Sequence, residues 1–168
     1  MGATMKTKIG IFSIIFCLWA QALWAVEQRG PLILFKEPLV EFANPRQLPC
    51  NGLYDVRMGK NVANMSDFRE FLCQGRYTFT LTGEKGRTVT LFAEFNYGKA
   101  RGFLVVQKTD DRMVWFKDLE SLPAGKWVEW EASEDSGGVR FYYYRQAMFP
   151  QWISSVKWGQ WWQGKVPQ

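Results

Sequence analysis

The chain has no histidine. Its absence removes the commonest general base and the commonest metal ligand. Ser-His-Asp and Cys-His catalysis are excluded, and so are zinc sites built on imidazole. A basic run is also lacking. Lys and Arg number 21 against 16 Asp and Glu, a net charge of +5 spread along the chain, so no nucleic-acid-binding stripe is expected. There is no phosphate cradle, because Gly83–Gly86 and Gly137-Gly138 read as turn glycines and neither opens a helix. No cofactor or metal is expected. Repeats, low-complexity stretches and linkers are missing too.

Long apolar runs are confined to the start. Lys6 and Lys8 precede the apolar stretch Ile9–Trp19, and Ala20-Gln21-Ala22 has the small-x-small pattern of a cleavage site. Residues 1–25 therefore read as a secretory signal peptide and 26–168 as a single domain, secreted or periplasmic. Removing Lys6 and Lys8 lowers the net charge from +5 to +3. The alternative is an uncleaved anchor over Ile9–Val26, which Ser13 and Gln21 interrupt.

Cysteine is scarce, at three residues. Cys17 lies in the signal. Cys50 and Cys73 remain, and in an exported chain a pair reads as one disulfide. Twenty-two residues intervene, unlike the close spacing of a reactive dithiol.

What the chain has in excess is aromatic side chains, 17% of residues, set in runs of alternating polarity. Tyr77, Phe79 and Leu81 alternate with threonines, and after the turn Gly83–Gly86 Val89, Leu91, Ala93 and Phe95 alternate with Thr88, Thr90, Phe92 and Glu94. Pairing them as a hairpin sets Leu81 opposite Val89, Phe79 opposite Leu91 and Tyr77 opposite Ala93. Gly102–Lys108 is apolar on both faces and reads as a central strand. Strands are also expected at Leu32–Phe35, Leu39–Phe42, Leu53–Arg57, Met113–Lys117 and Trp152–Trp158. Pro38, between the first two, suits a sheet edge. A short helical turn near 64–72, capped by Asn64, is the one helical signal. The evenly spaced turns predict an all-β fold, an antiparallel β-sandwich of jelly-roll-like or Ig-like form, running as a meander.

The most informative stretch is Lys126–Arg145. It predicts a hairpin with Trp130 opposite Phe141 and Val128 opposite Tyr143 on a core face. The other face pairs Glu131 with Arg140, Glu129 with Tyr142 and Trp127 with Tyr144. That second face is an aromatic strip with polar groups beside it. It suits carbohydrate, whose C–H faces lie on flat rings while placed polar groups take the hydroxyls. The candidate ligand-binding residues are Trp127, Glu129, Arg140, Tyr142, Tyr144 and Trp161. The alternative for this strip is structural: the Trp-rich C-terminal segment folds back over it as a second, minor core. A protein partner, which would make the chain an envelope accessory subunit or inhibitor, is the other functional reading. Membrane contact is expected only through an uncleaved signal.

Catalysis is not expected. Glu129 and Glu131 point the same way, about 6–7 Å apart along a strand, within the roughly 5–9.5 Å that a carboxylate-based glycoside hydrolase uses. Alternating Glu on a solvated strand face, one of them opposite an Arg, has a simpler account as ordinary surface charge.

Overall fold

The alternating runs form strands, and the strands form two sheets. The computed structural model describes residues 30–38, 52–66, 75–147 and 149–167. In chain order the strands are β1 (Leu32–Pro38), β2 (Gly52–Val56), β3 (Gly75–Leu81), β4 (Thr88–Phe92), β5 (Phe103–Lys108), β6 (Val114–Phe116), β7 (Trp127–Trp130), β8 (Val139–Tyr144) and β9 (Ser155–Trp158). One sheet has four strands in the order β2-β1-β3-β6, and the other has five in the order β7-β8-β5-β4-β9. Every pairing is antiparallel. The fold is an antiparallel β-sandwich. Helical structure in the named elements is limited to two 3₁₀ turns, Phe95–Tyr97 and Phe149–Gln151.

The inward side chains are those the alternation selects. Leu32, Leu34, Tyr77, Phe79 and Leu81 from one sheet meet Val89, Leu91, Leu104, Val106, Phe141 and Tyr143 from the other. Phe79 stacks on Phe116 at 4.7 Å, and Phe116 meets the edge of Phe141 at 5.7 Å. Tyr143, buried in this core, has its phenol pushed up to about 12 by burial, against the opposing pull of Arg145.

Three expectations of pairing are corrected. First, β3 and β4 are not a hairpin. Gly83 and Gly86, at φ +112° and +85°, turn the chain from one sheet into the other. Tyr77, Phe79 and Leu81 therefore face Val89, Leu91 and Ala93 across the core. Alternation identifies the buried side of a strand, not its neighbour. Second, the chain is not a meander, because β5 to β6 and β6 to β7 each change sheets. Third, β1 is not an edge. It lies between β2 and β3, with Pro38 at its last position opposite Gly75 and past the start of β2. At that place a missing N–H does least harm. The central position expected for β5 is observed.

The segment after β2 crosses to the second sheet. Val62 and Val156 exchange backbone hydrogen bonds of 2.9 and 2.8 Å beside β9, and Met65 N donates to Ser154 O at 2.9 Å. Asn64 Oδ1 accepts from Ser66 N at 2.8 Å, as a capping side chain would. The rest of the expected helical turn, the strand Leu39–Phe42, residues 1–25, Cys50 and Cys73 lie outside the described residues. Among the described residues no helix is long and apolar enough to cross a membrane.

The β5–β6 loop carries the main polar knot. Asp110 accepts from Gly138 N at 2.8 Å and Arg112 N at 3.0 Å. These bonds, that from Gly138 foremost, hold its carboxyl below the ordinary 3.8. Beside it Lys108 is 1% exposed and its Nζ donates to Arg112 O. Burial pushes this amine down, while Asp110 and Asp111 pull it back up. A depressed carboxylate stabilises the fold fully above its unfolded value and loses that contribution as pH falls through the folded one. Asp110→Asn should therefore melt below the parent at pH 7, and the gap should close below pH 4. Thermal melts across pH 2–7 measure this.

Candidate functional site

The outer face of the five-stranded sheet is the unusual surface of this molecule. On β5, Phe103 and Val105 point outward. On β8, Tyr142 and Tyr144 do so, and Phe103 stands directly across from Tyr144. A face that would normally be wet thus carries a row of apolar side chains. Phe92, Phe103, Val105 and Tyr142 are buried there as a second cluster, with Tyr97, Trp127, Trp161 and Trp162 packed on it.

The C-terminal segment does the covering, as the structural alternative anticipates. Trp161 packs on Phe92 at 5.7 Å and meets Phe103 edge-on at 5.5 Å. Its Nε1–H donates to Thr90 Oγ1 at 2.8 Å, satisfying a hydroxyl on a fully buried residue. Trp162 lies 5.8 Å from Trp127, whose Nε1–H donates to Lys165 O at 2.8 Å. Trp127 is therefore a half-buried part of this cluster.

The cover is incomplete. Between the tail and the strands a cleft of about 410 Å³ stays open, lined by Lys99, Ala100, Phe103, Tyr142, Tyr144 and Pro167. Three of its rings are close to parallel. Phe103 lies 5.4 Å from Tyr144 with 27° between planes, and 6.2 Å from Tyr142 with 24°. Tyr144 is the accessible ring, 41% exposed, and its hydroxyl accepts from Gln146 Nε2 at 3.3 Å. Lys99 stands at the rim, its Nζ 5.4 Å above the Trp161 ring.

The β4–β5 connection places Lys99. Asn96 and Tyr97 both have positive φ, 54° and 63°, a conformation rare for an aromatic residue. It is held by Asn96 N donating to Ala63 O at 2.8 Å and Tyr97 N to Ser155 Oγ at 3.1 Å. The Tyr97 ring then rests on Phe92. Gly102, at φ +95°, closes the turn, and a Cβ there would sit 2.7 Å from Tyr144 O. That approach sets residues 99–101 beside Tyr144 and Gln146.

Of the six candidate residues, Tyr142 and Tyr144 line the cleft. Trp127, beneath the tail, and Trp161, on the tail itself, pack against the cluster beside the cleft. Glu129 and Arg140 lie off it, on the exposed end of the hairpin, with the Arg140 guanidinium 4.4 Å over Trp127. The hairpin register is corrected: Trp127 pairs with Tyr142, Val128 with Phe141, Glu129 with Arg140 and Trp130 with Val139. Each partner is displaced by two residues, so the faces survive and the pairs change. Trp127 does not stand over Tyr144, and Glu131 does not face Arg140. Trp130 keeps its core-side orientation but is 43% exposed, at the sandwich edge against Phe116 and Phe141.

Lys99, Ala100, Phe103 and Pro167 were not singled out from the sequence. For Phe103 there was a signal, because a strand apolar on both faces needs cover on both. Among the described residues, no group of three His, Cys, Asp or Glu is placed to hold a metal ion. Known protein families, curated proteins and solved structures offer no match to this chain.

Proposed function

We propose that this is an exported, non-catalytic carbohydrate-binding domain that seats sugar in the cleft at Tyr144. The observation carrying this reading is the row of near-parallel rings, Tyr142, Phe103 and Tyr144, in an open cleft with Lys99 at its rim. An apolar platform with few polar groups is the usual composition of a small-ligand site. Export and the Cys50–Cys73 bridge belong to the same reading. Gly52 and Gly75 begin β2 and β3 at the same end of β1, and each follows one of these cysteines by two residues. Non-reducing peptide mapping of exported protein should recover the linked pair.

A glycan array run beside an envelope pull-down tests the function. Tyr144→Ala should weaken glycan binding by about 2 kcal/mol, roughly thirtyfold, and change stability by about 1 kcal/mol or less. An array without signal, or equal binding by the variant, would refute the assignment. A protein partner is the second reading. It is favoured by the exposed Met113, Trp115 and Trp130 on or beside β6 and β7, the last strands of their sheets.

A further inference from the structure

The cleft does not end at Ala100. That residue also lines a second depression of about 260 Å³, with Arg101, Gln146 and Trp152. Gln146 and Ala147 in turn line a third, also about 260 Å³, with Tyr143 and Arg145. The first two meet at Ala100, in the turn that Gly102 closes, and the second and third meet at Gln146 and Ala147. Each holds a cation, and the first two pair it with a ring that a ligand can reach. Lys99 accompanies Phe103 and Tyr144 in the first. The Arg101 guanidinium lies 5.4 Å from the Trp152 ring in the second. In the third the Arg145 guanidinium lies 5.5 Å from the Tyr143 ring, which is buried in the core, so the cation is what this depression offers a ligand.

The cations are held in place. Arg101 lies 3.8 Å from the Glu94 carboxylate, and Glu94 also accepts from Ala100 N at 3.1 Å. Arg145 donates to Glu120 O and Leu122 O. Each guanidinium has five N–H donors, so these contacts leave others for a ligand. Glu120, in the third depression, is the single carboxylate among the described lining residues of all three.

We infer that these depressions are consecutive subsites for a linear glycan bearing repeated acidic groups, a polyuronate or a sulfated polysaccharide. This rests on the carbohydrate reading above and adds ligand charge and length to it. Tyr144 and Trp152 take the C–H faces of sugars in the first two subsites, and Lys99, Arg101 and Arg145 take the acidic groups by charge-assisted hydrogen bonds. A neutral glycan would offer no acidic group to Lys99 and the remaining guanidinium N–H donors, and a monomer would fill one subsite.

Isothermal titration calorimetry of the full exported chain tests this. The probes are tri- and hexagalacturonate, a heparin hexasaccharide, cellohexaose and single-stranded oligo(dT). At least one acidic hexamer should bind about tenfold tighter than cellohexaose, and hexagalacturonate tighter than the trimer if carboxylate is the group read. Lys99→Gln and Arg101→Gln should each weaken acidic-hexamer binding by about fivefold and flatten its salt dependence, with unchanged melts. Cellohexaose bound as tightly as the acidic hexamers, oligo(dT) bound equally well, or an unaltered Lys99→Gln/Arg101→Gln double variant would overturn the inference. In the cellohexaose case the carbohydrate reading survives, since Tyr144→Ala would still lose binding. If no glycan binds, both fall.

Discussion

Phe103→Ala should lower stability by about 3–5 kcal/mol, the cost of removing a buried aromatic ring from packed surroundings. The ring is 3% exposed and touches four others, Phe92, Tyr142, Tyr144 and Trp161, at 5.4–6.2 Å. Its neighbours are fixed on two strands, β4 and β8, and the tail, so little collapse can refill the space. A domain of ordinary stability has about 5–15 kcal/mol in total, so the variant sits near its folding threshold. Urea unfolding measures the loss. Trp130→Ala is the comparison. It is a larger side chain on the core side of its hairpin but partly solvated at the sandwich edge, and should lose only about 1–2 kcal/mol. A Phe103→Ala curve as mild as that of Trp130→Ala would mean that the outer cluster is not packed in solution.

That ordering reverses what alternation alone suggests, and the reason is tertiary. The sequence shows that Trp130 and Phe141 share a face, and they do, with rings 4.7 Å apart. It does not show that β7 ends its sheet, where a core-facing side chain meets solvent. The register error has a similar origin. Both registers keep every side chain on its face, so the hydrophobic pattern cannot separate them. The β5–β6 loop separates them instead. Gly137 N donates to Met113 O at 2.7 Å, Thr109 N to Gly138 O at 3.0 Å, and Gly138 N to Asp110. These contacts fix where β8 begins. A Cβ on Gly137 would lie 2.5 Å from Arg112 O, and one on Gly138 2.4 Å from Thr109 Oγ1. The double glycine admits a neighbouring loop, where the sequence suggested only a turn. Strand existence, inward faces and the all-β class were legible because period-two polarity encodes them. Strand neighbours were not, because a connection of a given length can cross between sheets or return within one. The cleft was half legible: Tyr142 and Tyr144 come from the hairpin pattern, while Phe103, Lys99 and Pro167 join them only through β5–β8 pairing and the returning tail.

The tail is the element on which the site depends, and Trp161 is its main anchor. Trp161→Ala should cost about 3 kcal/mol, toward the lower end for an aromatic truncation because the ring is only half-buried. Two losses combine. The ring leaves Phe92, Phe103 and Trp162 without their cover, and Thr90 Oγ1 loses the 2.8 Å bond from the indole. Trp161→Phe separates the two. It keeps an apolar ring and deletes the donor, so it should cost about 1 kcal/mol for the hydrogen bond and somewhat more for the smaller ring. Thermal unfolding of both variants, with glycan titration at a temperature where each remains folded, reads stability and site together. Trp161 does not line the cleft but packs against Lys99 and Phe103, which do, so Trp161→Ala should weaken binding as well as folding. Tyr144→Ala should weaken binding alone. If Trp161→Ala melts like the parent, the tail does not cover the sheet in solution, and the exposed row of rings becomes a flat platform in place of a cleft.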